Sequence, residues 1–200
     1  EIVFIGDDED GQLHMEQADS LGNILDTLYK EYNIRRILFD AYKQYATPGG
    51  ARYPEVNEAI NEQMRQGSLV LSYIGHGGEL GWGHERVLEV ADINSWNNPS
   101  KMPLFVTATC EFSRYDDPQR TSAGEFVFLN PDGGGIGLVT TTRLVYSTPN
   151  FRLGISFNNL AYKPLPNGEM PRIGDLTLKT KAANSSFGTN TRVFLLLGDP

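Results

Sequence analysis

Six short apolar runs punctuate this chain, and stretches with helical periodicity separate them. The runs are Ile2–Ile5, Ile37–Phe39, Leu69–Ile74, Leu104–Thr107, Ile136–Thr141 and Val193–Leu197. Runs this short, continuously apolar and rich in β-branched and aromatic residues, read as strands buried on both faces. Between the first two, Met15, Ala18, Leu21, Ile24, Leu25, Leu28 and Tyr32 recur at helical intervals, which predicts a helix over Leu13–Tyr32. Pro54 suits the first turn of a second helix that buries Val56, Ala59, Ile60 and Met64 and closes near Gly67. Further helices are expected over Ala91–Trp96, Ser122–Leu129, Phe151–Tyr162 and Ile173–Ala183, while Gly75–Gly83 reads as loop. Strand–helix alternation with short connections predicts an α/β fold, a mainly parallel sheet flanked by helices on both faces.

A chain of 200 residues suits one domain, and 40% hydrophobic against 21% charged residues is a globular composition. The formal net charge of −8 argues against nucleic acid as a partner, since a binding groove needs clustered Lys and Arg. No stretch has the length of apolar sequence that a membrane-spanning helix requires. The chain opens in mid-strand at EIVFIG and stops at LLLGDP, so residues 1–200 are expected to form a single domain of a longer protein.

Two of the apolar runs deliver reactive side chains. The run ending in Ile74 leads into His76, and the run ending in Thr107 leads into Cys110, the only cysteine. In an open α/β sheet, functional groups gather beyond the carboxyl ends of the strands, so the thiol and the imidazole are expected at one sheet edge. Free cysteine is also among the most buried residue types, and core filler is the plain alternative. The glycines around His76 weigh against that reading, because they suit a backbone that turns sharply or approaches a ligand. A thiol is a nucleophile only as thiolate, and a neighbouring imidazole supplies the base. The backbone N–H groups of Gly77 and Cys110 are the candidate oxyanion hole.

Other chemistry fits less well. No G-x-S-x-G elbow accompanies the HGG motif, and Gly133–Gly137 precedes a strand where a phosphate loop would follow one. His14, His76, His84 and Cys110 show none of the spacings of a zinc site, so no metal centre is expected from them. The acidic run Asp7–Asp10 reads first as a solvated loop; Asp8 and Asp10 are candidates to orient the imidazole or to hold a structural calcium ion. Glu111, Arg114, Asp116 and Asp117 read as loop-shaping ion pairs, and Thr141, Thr142 and Arg143 as a substrate-pocket wall.

The segments YIGHGGELGWGHE and VTATCEFSRYDDPQRTSAGEFVFLNPDGG, with VTTTRLVYS and the terminal LLLGDP, resemble the gingipain family of cysteine peptidases. The resemblance runs from the acidic loop to the last residue. It is strongest, through CEFSRYDDP and RTSAGE, to the sortase branch that serves the type IX (Por) secretion system of Bacteroidetes. It implies a caspase-like fold, Cys110 as nucleophile, His76 as base and no required cofactor. It also implies an orienting acid after the first strand, for which Asp8, Asp10 and Glu16 are candidates. The family's acidic specificity-pocket residue has no assigned counterpart. For the sortase branch the implied substrates are C-terminal sorting domains of secreted cargo, with transfer of the new end to anionic lipopolysaccharide. Other secretion-system surface proteins are the implied partners, and the implied location is extracytoplasmic, at the outer-membrane surface or secreted. A general secreted protease and a catalytically silent caspase-like binding module remain as alternatives.

Overall fold

Consecutive apolar residues leave a strand no solvent face, and the burial of the central strands follows that rule. The computed structural model describes residues 1–200. Its first half contains β1 (Ile2–Gly6), α1 (Leu13–Leu28), β2 (Ile34–Leu38), a hairpin of β3 (Tyr45–Thr47) and β4 (Gly50–Arg52), α2 (Pro54–Gln66) and β5 (Val70–Ile74). A small sheet of β6 (Gly77–Gly78), β7 (Gly81–Trp82) and β8 (Leu88–Glu89) precedes α3 (Val90–Ser95) and β9 (Leu104–Ala108). The remainder is α4 (Ala123–Leu129), β10 (Gly137–Thr141), α5 (Ser147–Ala161), α6 (Ile173–Ala183), α7 (Thr189–Val193) and β11 (Phe194–Leu197).

The main sheet has the order β11-β10-β9-β5-β1-β2, parallel throughout except for β11, which runs antiparallel to β10 at the edge. Alternate residues divide between two cores. Val3, Ile5, Leu71, Tyr73, Phe105 and Leu138 pack with Val56, Ile60 and Met64 of α2, Ile93 of α3 and Val127 of α4. Ile2, Phe4, Val70, Ile74, Val106 and Val139 pack against Ala18, Leu21 and Leu25 of α1, Leu153 and Phe157 of α5 and Leu176 of α6. Helices on both faces explain why the strands are apolar without alternation.

The expected α/β architecture is present, with local differences. The first helix ends at Leu28, short of Tyr32, and Tyr29 and Tyr32 pack instead on Tyr162. Strand β2 begins earlier than expected, at Ile34, because an edge strand tolerates Arg35 and Arg36; Arg36 is held there by Asp19 at 2.7 Å. Phe39 falls in a single 3-10 turn beyond it. The glycine-rich stretch after His76 is not irregular loop but the start of the small sheet. Helix α4 starts where the sequence indicated, since Ser122 and Glu125 form a reciprocal capping box.

The chain leaves β1 toward β2 on one side, then returns to place β5 on the other. Loops from the carboxyl ends of β1 and β5 therefore diverge, leaving a crevice between them.

Candidate active site

Parallel pairing sets the heights of the two reactive residues. Strands β5 and β9 are in register with Ile74 opposite Ala108, and the Gly75 N–H still reaches the Ala108 carbonyl at 3.4 Å. His76 and Cys110 each lie two positions beyond those partners, on adjacent loops at the same sheet edge. A Cβ on Gly77 would come within 2.6 Å of Thr109 Oγ1, so the loop carrying His76 packs directly on the residue before Cys110.

The backbone of His76 is pinned on both sides. Its N–H donates to Asp7 Oδ2 at 2.8 Å. Its carbonyl accepts the Tyr73 hydroxyl at 2.6 Å and the Gly83 N–H at 2.9 Å. Burial, and then the charge of Asp7, push the Tyr73 hydroxyl well above its usual pKa, so it stays a donor. Beneath the loop, Trp82 is fully buried, stacked on Tyr73 at 4.4 Å and tilted against Phe112 at 5.3 Å.

The acidic run Asp7–Asp10 reads as solvated, yet Asp7 is completely buried. It carries on from β1, its N–H bonded to the Ile74 carbonyl at 3.2 Å, and it fits under the crevice because residue 75 is glycine. A Cβ at Gly75 would approach Asp7 Cβ to 2.4 Å. The pairing of a strand-end acid with a glycine just before the histidine was the available sequence signal. Asp7 Oδ1 also accepts the Glu9 N–H at 2.9 Å, so its two oxygens serve two donors. Asp7→Asn presents an NH2 group to one of them. The expected result is a loss of about 1–3 kcal/mol of stability, the cost of one buried donor left unpaired, read from the denaturant midpoint.

The candidate orienting acids separate. Asp10 Oδ2 lies 3.2 Å from His76 Nε2 and 3.5 Å from His14 Nε2. Asp8 turns the other way, accepting the Tyr53 hydroxyl at 2.6 Å. Glu16 is exposed in the first turn of α1 and forms no ion pair. A carboxylate can only accept, so the contact with Asp10 favours the His76 tautomer that carries its proton on Nε2. All three histidines meet here, despite their unhelpful spacing in sequence. His14 packs edge-on to His76 at 5.2 Å, and His84 stacks on it at 5.1 Å while binding Glu9 Oε2 at 2.7 Å. His14 is held below its ordinary pKa by burial, which outweighs the opposing charges of Asp7 and Asp10.

Cys110 is half-buried, with its sulfur 3.7 Å from the Val145 carbonyl. Its backbone N–H has no acceptor in the protein. The next residue, Glu111, adopts a left-handed conformation (φ 51°) that bends the chain sharply away. Of the charged residues after Cys110, Glu111, Arg114 and Asp116 form ion pairs as expected, while Asp117 instead accepts the Gln119 N–H at 2.9 Å. Arg114 binds Glu79 at 2.8 Å and Glu111 at 3.4 Å, and Arg120 reaches Glu79 at 3.4 Å. Glu79 belongs to the small sheet's first turn, so these pairs tie the His76 and Cys110 loops together.

The three residues expected to wall a substrate pocket have different settings. Thr141 is fully buried and donates its hydroxyl to the Thr109 carbonyl, supporting the Cys110 turn from below. Thr142 bonds the Val193 carbonyl at 3.2 Å through its hydroxyl, while exposed Arg143 forms a bidentate pair with Asp116.

Set against known proteins, the family model described as Peptidase family C25 matches residues 1–200. The chain belongs to that family. The crystal structure of the Arg-specific cysteine proteinase gingipain R (RgpB) superposes with a TM-score of 0.73 at 16% identity, covering 100% of this chain and 45% of that one. A complex of the pro- and mature domains of Porphyromonas gingivalis RgpB gives 0.73 at 14% identity, covering 100% and 46%. A structure described only as a protease gives 0.68 at 13% identity, with 99% and 46% covered. The architecture is thus the caspase-like α/β fold of the gingipains, and this C25 chain spans less than half the length of the structures it matches. No curated protein sequence matches it. No helix is long and apolar enough to cross a membrane.

Proposed function

We propose that this C25 domain is the catalytic part of a cysteine endopeptidase that uses Cys110 as nucleophile and His76 as general base and acid. The observation that carries the reading is the β5–β9 register, which brings both residues to equal height on adjacent loops. With Nε2 protonated toward Asp10, Nδ1 accepts the thiol proton. The thiolate then attacks the scissile carbonyl carbon, and the oxyanion forms against the free N–H of Cys110 and that of Gly77. As the C–N bond breaks, the imidazolium returns its proton to the leaving amine, leaving a thioester. Asp10 is the positioning residue that selects the tautomer, and Asp7 holds the loop. The chemistry needs no cofactor.

The finer reading is that of a PorU-like sortase. CEFSRYDDP, RTSAGE and VTTTRLVYS support it. The enzyme removes the C-terminal sorting domain of secreted cargo outside the cytoplasm and passes the acyl group to an amine of anionic lipopolysaccharide. Incubating the full-length protein with a cargo C-terminal domain, with and without an amine acceptor, separates the fates of the thioester. An amine-linked product is expected; a product hydrolysed in both arms overturns the sortase reading in favour of a general protease.

One observation favours a silent module instead: the thiol is directed at the Val145 carbonyl, not at His76. An electrophilic peptide distinguishes the two. Labelling of Cys110 that His76→Ala slows at least about tenfold supports the dyad. Labelling that ignores His76, or none at all, overturns it.

A further inference from the structure

The ring-to-ring packing of the histidines creates an arrangement that the proposed catalysis does not use. His76 Nε2, His14 Nε2 and Asp10 Oδ2 converge from the loop after β5, the first turn of α1 and the loop after β1. Zinc bonds to imidazole nitrogen and carboxylate oxygen are about 2.0–2.1 Å long, so two ligands of a tetrahedral ion lie roughly 3.3–3.4 Å apart. Asp10 Oδ2 stands 3.2 Å from His76 Nε2 and 3.5 Å from His14 Nε2, close to that spacing on both sides. A second set shares His76 Nε2 with Glu9 and His84, but there Glu9 Oε2 is only 2.7 Å from His84 Nδ1, a hydrogen-bond distance that an ion would have to pry apart.

His14 gives independent support. It is buried to 7% exposure near the start of α1, which holds its ring in place. Here the one nitrogen with a polar neighbour points at Asp10 and the His76 edge. Two imidazoles and a carboxylate, with the fourth position open, suit zinc; an oxygen-seeking ion such as calcium gains little from them.

We infer that His14, His76 and Asp10 form a zinc-binding site whose occupancy switches off His76. The switch rests on the peptidase reading; the site does not. Zinc takes the Nε2 lone pair, so the single proton of the neutral ring, which faces Asp10 in the metal-free site, must sit on Nδ1 instead. No lone pair is left for the Cys110 thiol. The ion thus inhibits by fixing the wrong tautomer, with no need to touch the sulfur.

The test has two arms, both on the full-length protein. In the first, zinc is titrated against a chromophoric chelator. One zinc is expected per chain. His14→Gln and Asp10→Asn should each weaken binding by roughly 10–100-fold or more, as ligand-shell losses do, whereas His84→Ala and Cys110→Ala should change it less than about twofold. Asp10 is exposed, so Asp10→Asn keeps the arm decisive should His14→Gln fail to fold. Unchanged affinity in Asp10→Asn, or a loss in His84→Ala or Cys110→Ala, overturns the assigned ligands. In the second arm, saturating zinc should slow electrophile labelling of Cys110 at least about tenfold, reversibly with chelator. Labelling that proceeds at full rate with the site filled overturns the switch. Absence of labelling in metal-free protein overturns the peptidase reading, leaving the first arm to judge the site by itself.

Discussion

Cys110→Ala in the full-length protein is expected to lower kcat/KM by on the order of 10⁴-fold or more, with substrate binding little changed. The size follows from the division of labour in the proposed mechanism. Without the sulfur no thioester forms, and only the donors and binding contacts remain to favour attack by water. His76→Ala should fall in the same range, and the double variant should lose little more, because the proposed mechanism uses the pair as one unit. Additive losses would mean that Cys110 and His76 act separately. Cys110→Ala should also leave stability nearly intact: the side chain is small and half-buried, and its one polar contact is a long one to the Val145 carbonyl. An unfolding midpoint that collapses in Cys110→Ala would mark the residue as core filler, the competing reading of its place at a strand end.

Trp82→Ala is expected to cost about 3–5 kcal/mol, the largest stability effect anticipated for a single side chain here. Trp82 is fully buried between Tyr73, Phe105 and Phe112, and its indole N–H has no partner, so the loss is one of packing and cavity formation. A domain of ordinary stability holds roughly 5–15 kcal/mol, so this substitution removes a large share. The functional consequence reaches His76 through Tyr73, whose ring stacks on the indole and whose hydroxyl holds the His76 carbonyl. Urea unfolding should show a lower midpoint with an unchanged slope. Trp82→Phe should recover much of the loss. A cost below about 1 kcal/mol for Trp82→Ala would show that the small sheet is not anchored to the core as described.

Much of the fold was legible because burial on both faces leaves a plain mark. Four central runs, Ile2–Ile5, Leu69–Ile74, Leu104–Thr107 and Ile136–Thr141, read as strands covered on each side, and the periodicity of α2 placed that helix with nearly its observed limits. Edge and junction elements were less legible. Ile34–Arg36 of β2 carries two arginines that an edge permits, and β11 adds an antiparallel edge to a sheet expected to be mainly parallel. The small sheet after His76 is built from two-residue strands, too short for any periodicity to register.

The sequence by itself determined the strand–helix alternation, the delivery of His76 and Cys110 by neighbouring apolar runs, and the motifs that mark a C25 chain. These are local properties, written in consecutive residues. Only the tertiary structure decided which acid does what. Asp7, Asp8 and Asp10 are near-identical in sequence context, yet one is sealed beneath Gly75, one turns to Tyr53, and one faces two imidazoles. It likewise gathered His14, His76 and His84, from positions whose spacing suggested nothing. The reason is the crevice between β1 and β5: strand order sets which loops meet there, and strand order is a pairing of distant segments that no local pattern encodes.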